Sequence, residues 1–353
     1  MRFRHPRRRA LALTAAAALA VSALAGTAAS AASAGRAAGP GLTPIPSRVY
    51  APYFEAYLPT NISKIARRSD ARYLTLAFIQ TPKKGSCTPT WNGKQPLSSG
   101  HYLGEIAALR RMGGNVIPSF GGFSADHGGT EIADSCTSVS KIAAAYELLV
   151  SKYHVTRLDM DVEDRSLNNL AGITRRSEAI ARAQAWAAAR GIHLQADFTI
   201  PVEPYGLDPN GLNVIKNAVA HHVKITVVNI MTFDYYETHE GHVGMAAAAM
   251  AAALNVHNQL AGVFGNDSAR RLWQLEGMTL LPGIDDRGKI ETTSLRAVAR
   301  VKAFAVHWHM SWLSIWALQR DNGGCPGTTD SNTCSGIKQR PWAFSHLLEP
   351  FTS

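Results

Sequence analysis

Asp159, Asp161 and Glu163, in the run Leu158-Asp159-Met160-Asp161-Val162-Glu163, have the residue types and the spacing for acid–base chemistry. Side chains alternate faces along a strand, so the three acids share one face while Met160 and Val162 share the other. Same-face neighbours stand roughly 6.5–7 Å apart at Cα, close enough for like charges to push one carboxyl pKa upward. A protonated acid beside an ionised carboxylate is what glycosidic bond cleavage needs. The run therefore points to a hydrolase acting on sugars. Three acids on one strand face also have other uses. A calcium loop counted from Asp159 needs Gly at its sixth place and Glu at its twelfth, where the chain has Asp164 and Leu170. From the run alone, a solvated strand edge and an Asp-x-Asp metal site of the sugar-nucleotide transferase kind stay open.

The elements that must hold these acids follow from hydrophobic patterning. Candidate strands are Arg48–Phe54, Tyr73–Phe78, Asn115–Phe120, Arg157–Val162, His193–Phe198, Lys224–Met231, Thr279–Leu281 and Leu313–Trp316. Between them lie helical patterns at Tyr102–Met112, Ser138–Lys152, Arg175–Arg190, Leu212–Ala220, Met245–Gln259 and Ser294–Val306. Short apolar strands alternating with helices predict a parallel sheet buried on both faces. Eight such units predict a single (β/α)8 TIM barrel over residues 48–353, with functional groups gathered where strands end. No Gly-x-Gly-x-x-Gly follows the first strand, which weighs against dinucleotide binding.

Residues 1–34 read as a secretory signal peptide and 35–47 as a short leader. Arg2, Arg4, Arg7, Arg8 and Arg9 precede an Ala/Leu-rich stretch and two small-residue cleavage sites. The stretch is too short to favour a membrane span, and it fits either Sec or twin-arginine export. The formal charge of +10 falls to +5 once those five arginines leave. No basic patch interleaved with aromatics accompanies it, so nucleic acid is not an expected partner. Four cysteines in an exported chain predict two disulfides with three possible pairings, and sequence neighbours give Cys87–Cys136 and Cys325–Cys334. His239/His242 and His307/His309 have metal-like spacing but no third ligand in sight, so they read as surface residues. No cofactor or metal is expected.

Four motifs, in order, make the chain resemble the family 18 glycoside hydrolases, the chitinase family. Ser119-Phe120-Gly121-Gly122 resembles the family's Ser-x-Gly-Gly, and Asp159 to Glu163 its Asp-x-Asp-x-Glu. Met231-Thr232-Phe233-Asp234-Tyr235 resembles Met-x-Tyr-Asp, and Trp316 the tryptophan that floors the site from the last strand. The surroundings look like the small bacterial, actinobacterial-type branch. The resemblance spans roughly Pro46 to Phe351 and implies a monomeric enzyme acting on chitin or chito-oligosaccharides. It implies a substrate-assisted retaining mechanism, in which Glu163 is general acid and then base. Asp161 would orient the N-acetyl group, and Asp159 would share a proton with Asp161. Close alternatives are an endo-β-N-acetylglucosaminidase on N-glycans and a non-catalytic chitin-binding protein on the same fold.

Three departures and one absence bear on this. Thr156-Arg157 replaces the family's Asp-Gly, and Asp164 follows Glu163. Phe233 stands where a tyrosine commonly bonds the acetamido carbonyl, leaving Tyr235, next to Asp234, as the candidate donor. Sugar faces stack on aromatic rings, which makes Trp316, Tyr53, Phe54 and Tyr236 candidate floor or wall residues beside Phe120, Gly121, Met231 and Phe233. About 31 residues separate Leu281 from Leu313. A barrel helix uses half of them, so the extra α+β insertion of larger relatives is expected to be absent and the groove open.

Overall fold

The computed structural model of the chain describes residues 44–235, 244–265, 267–329 and 331–353. The signal segment, Tyr236, His239 and His242 lie outside the described residues. The strands are β1 (Val49–Tyr50), β2 (Tyr53–Glu55), β3 (Tyr73–Gln80), β4 (Thr90–Trp91), β5 (Gln95–Pro96), β6 (Asn115–Gly121) and β7 (Arg157–Asp161). They continue as β8 (Gln195–Pro201), β9 (Ile225–Met231), β10 (Glu276–Leu280), β11 (Gly283–Asp285), β12 (Gly288–Thr293) and β13 (Trp312–Ile315).

The first barrel strand is two pieces, because Ala51-Pro52 interrupts it and proline has no N–H for the ladder. β1 pairs with β13 and β2 with β3, both parallel, and this closes the ring. Between them β3, β6, β7, β8, β9, β10 and β13 pair in parallel, each with the next. Leu158, Met160 and Val162 of the acid-bearing strand are buried among core residues, while the acids face the barrel interior. Burial on both faces is what gives these strands their apolar runs.

Helices return the chain between strands. Ile62–Ser69, Leu103–Arg111, Val139–Tyr153, Leu170–Ala188, Pro209–Ala220, Met245–Phe264 and Leu295–His307 do so, and Ala343–Leu348 follows β13. Their starts are locally encoded: Ser138 and Ser294 accept the amides of Lys141 and Ala297 as N-caps. Both disulfides pair sequence neighbours, Cys87 with Cys136 and Cys325 with Cys334. Among the described residues no helix is long and apolar enough to cross a membrane.

The expectation of a bare barrel is wrong. An antiparallel hairpin, β11–β12, is inserted between β10 and the helix Leu295–His307. The length count failed because a short hairpin and a barrel helix both fit where only a helix was foreseen. The hairpin docks on the chain around the second disulfide, with Ile284 N–H donating to Ser335 O at 2.8 Å. A Cβ on Gly283 would lie 1.8 Å from Ser335 O, so glycine is required at that contact. The buried Arg320 supports the hairpin from below, donating to Ile284 O at 2.6 Å. A second small addition, β4–β5, extends β3 in antiparallel fashion.

Candidate active site

A cavity of about 650 Å³ opens at the ends of the barrel strands, lined by Asp161, Glu163, Tyr53, Gly121, Met231, Phe233, Asp234 and Trp316 among others. Strand alternation explains the membership. Ser119 and Gly121 stand level with Asp159 and Asp161, whereas Phe120 stands level with Met160. Phe120 accordingly turns outward and meets Tyr146 edge-on, ring centres 4.9 Å apart. Its expected place against substrate is not found, and neither is that of Phe54, which is fully buried in the core and off the cavity wall. Tyr235 is also fully buried and stands off the cavity wall, while Phe233 and Asp234 reach it.

Asp159 lies beneath the cavity, fully buried. Its Oδ2 accepts the hydroxyls of Tyr53 at 2.9 Å and Ser119 at 2.6 Å, and its Oδ1 that of Thr199 at 2.7 Å. Burial nevertheless raises its pKa to about 7, against those three bonds, which lower it. Asp161 is nearly as deep, but its Oδ1 has no hydrogen-bond partner among the described residues. Burial, and then Glu163, Asp159 and Asp126, push its pKa well above the carboxylate range. Glu163 sits just past the end of β7 and is partly accessible. Burial raises its pKa to about 7, with Asp234 and Asp164 adding to the shift and the Phe123 amide opposing it. An acid poised near neutrality can both give and take a proton.

Asp234 follows β9 with a positive φ of 51°, a conformation that Asp tolerates better than most residues. Burial raises its pKa to about 7, and Asp286 and Glu291 add to that while Arg320 and Arg287 oppose it. Asp286 and Arg287, at the tip of the β11–β12 hairpin, line the cavity together with Asn332 from the second disulfide loop. The insertion that the length count left out thus forms part of the cavity wall.

The floor is aromatic. Trp316 stacks on Phe78 with ring centres 5.4 Å apart and meets Tyr53 edge-on at 5.5 Å. Tyr57 and Phe123, both exposed, extend the apolar lining to the rim. Phe78 was not foreseen, although it stands near the end of the second barrel strand, where the strand-end rule would have found it. Asp126 was missed too, and nothing local in the sequence signals it. Arg157, the departure noted beside the acid run, is buried and paired with Asp197 at 2.5 Å, away from the cavity. His307 and His309 are exposed.

No family model matches the chain. It is 31% identical over 319 residues to the probable bifunctional chitinase/lysozyme of Escherichia coli (strain K12), covering 87% of this chain and 35% of that one. It is 30% identical over 285 residues to endochitinase 11 of Metarhizium anisopliae, covering 78% of this chain and 53% of that one. The chain thus spans between a third and about half of the length of these relatives. Among solved structures, active domain 2 of a chitinase from Pyrococcus furiosus superposes with a TM-score of 0.76 at 27% identity, over 89% of this chain and 97% of that one. With the acids of β7, the aromatic floor and the closed parallel ring in place, the chain has the chitinase-like α/β-barrel fold of glycoside hydrolase family 18.

Proposed function

We propose that the chain is a secreted chitinase that hydrolyses β-1,4 bonds between N-acetylglucosamine units with retention, using the substrate's own acetamido group. The observation that carries this is the shared wall of Asp161 and Glu163 in a cavity floored by Trp316, Phe78 and Tyr53. Similarity to a chitinase/lysozyme and an endochitinase supports the substrate class, and the motif surroundings support a place in the small bacterial branch.

In this mechanism a sugar ring rests on Trp316 with its scissile oxygen toward Glu163. Glu163, held near neutrality by burial, protonates the leaving oxygen. The acetamido carbonyl oxygen attacks the anomeric carbon as that bond breaks, giving an oxazolinium ion and a shortened chain. Asp161, which lines the cavity, accepts the acetamido N–H and orients the carbonyl oxygen for its attack. Asp159, saturated by three hydroxyls, fixes the charge and position of the strand face beneath it. Glu163, now ionised, removes a proton from water as it opens the oxazolinium. Tyr235, fully buried, is given no contact with the sugar in this scheme.

Product analysis by mass spectrometry tests the substrate class. N-acetylglucosamine hexamer, peptidoglycan and an N-glycosylated protein are offered in parallel to the full chain. Shorter oligomers from the hexamer are expected. Cleavage confined to the glycoprotein would replace chitin by an N-glycan substrate, and cleavage confined to peptidoglycan would make the enzyme a lysozyme.

A further inference from the structure

We propose that Asp126 is a positioning residue for the acid: by accepting the Glu163 backbone N–H it fixes where the chain leaves β7, and hence the direction in which the Glu163 carboxyl enters the cavity. Asp126 has this role only if Glu163 is the acid, as proposed above.

Asp126 belongs to the short helix Phe123–Gly128 that follows β6. It is fully buried, with Oδ2 2.6 Å from the Glu163 nitrogen. The other oxygen, Oδ1, has no hydrogen-bond partner among the described residues. The charge of the buried Arg176 compensates it in part, yet a carboxyl withdrawn from water with a single hydrogen bond costs folding free energy. Placing one behind the acid therefore points to a role in the site rather than in stability. The packing is built to admit it: a Cβ on Gly121 would stand 3.2 Å from Asp126 Oδ1 and 2.0 Å from the Asp161 carbonyl oxygen.

The neighbouring pair repeats the arrangement at the surface. His127 lies 2.8 Å from Asp164, so two consecutive residues of one turn hold two consecutive residues of the other. The outer pair is solvent-exposed, and such pairs contribute little. The inner pair is short, buried and joined to backbone, so it sets the geometry. Glu163 stands beyond the last paired residue of β7, Asp161, where the sheet ladder no longer constrains it.

The test uses Asp126→Ala, Asp126→Ser and Asp126→Asn in the full chain, with turnover of N-acetylglucosamine hexamer, its KM, and the pH profile as readouts. Wild type and Glu163→Gln are measured first. If wild type does not turn over the hexamer, or if Glu163→Gln keeps full activity, the assignment of the site fails and the role of Asp126 is not what is at fault. With that assignment intact, Asp126→Ala or the shorter Asp126→Ser should lower kcat on the order of 10- to 100-fold with KM little changed, since misplacement by an ångström can cost that much. The alkaline limb of kcat should also move to lower pH, as a freed Glu163 reaches water. Asp126→Asn, which keeps an oxygen for the amide, should restore most of the turnover. A folded alanine or serine variant with wild-type kcat and pH profile overturns the proposal. So does an asparagine variant as slow as alanine. Failure of both alanine and serine variants to fold also contradicts it, because the carboxyl would then be holding the fold rather than the acid.

Discussion

Asp159 accepts hydrogen bonds from the hydroxyls of Tyr53, Ser119 and Thr199, whereas Asp161, next on the same strand face, keeps its Oδ1 without a partner among the described residues. One carboxyl is tied into the barrel by hydroxyls, and the other lacks such ties and lines the cavity. The two should therefore respond differently to substitution. Asp159→Ala leaves the Ser119 hydroxyl and one of the Tyr53 and Thr199 hydroxyls, which lie 2.8 Å apart, without an acceptor and should cost roughly 1–3 kcal/mol of stability, read from denaturant midpoints. Asp161→Asn should leave stability at pH 8 unchanged or higher, while kcat falls about 100-fold or more.

The raised pKa of Glu163 carries a stability consequence with a definite sign. Its carboxyl titrates near 4.5 when unperturbed and at about 7 in the folded chain. Between those values the folded state binds more protons than the unfolded state, so stability falls as pH rises. Glu163→Gln removes that loss. The variant should melt close to wild type at pH 4.5 and above it at pH 8, by an amount equivalent to about 1–3 kcal/mol. Calorimetry at the two pH values checks this; a variant less stable than wild type at pH 8 contradicts it.

Activity has the complementary dependence. In the proposed mechanism the first step needs protonated Glu163, so kcat should decline as pH rises through about 7. A profile flat from pH 6 to 9 would mean that another group supplies the proton.

Trp316 and Phe78 form one stacked surface. Phe78→Ala should weaken oligosaccharide binding by about 1 kcal/mol, or several-fold in KM, because it removes a stacking partner. Trp316→Ala should cost more, since it removes the floor itself. Titration calorimetry on a Glu163→Gln background separates binding from cleavage. Equal affinity in both variants would place the sugar elsewhere.

The two disulfides should differ in worth. Cys87 and Cys136 are 49 residues apart, Cys325 and Cys334 only 9. Loop-closure entropy gives about 4 and 3 kcal/mol respectively as upper values. Serine pairs at each bridge, compared by thermal melting, should preserve that order. The shorter bridge supports the loop that bears Asn332 beside the hairpin, so its loss should also raise KM.

The barrel was legible because each strand is a short apolar run and each return is a helical pattern. The acids were legible because alternation alone sets Asp159, Asp161 and Glu163 on one face. That same rule, applied to Ser119-Phe120-Gly121, turns Phe120 outward, against its expected place beside the substrate. The hairpin Gly283–Thr293 escaped because strands this short carry little periodicity, and a residue count measures available length rather than its use. Asp126 escaped for a different reason. Its importance comes from an amide 37 residues away, a contact that exists only once the barrel brings the ends of β6 and β7 side by side.

The measurement that bears most directly on the account is the turnover of N-acetylglucosamine hexamer by wild type and by Glu163→Gln at pH 6. Removing the proton donor while keeping its size should lower kcat by at least about 100-fold, with hexamer binding retained. A glutamine variant that cleaves at the wild-type rate would contradict the assignment of Glu163 as the acid, and with it the mechanism built on β7.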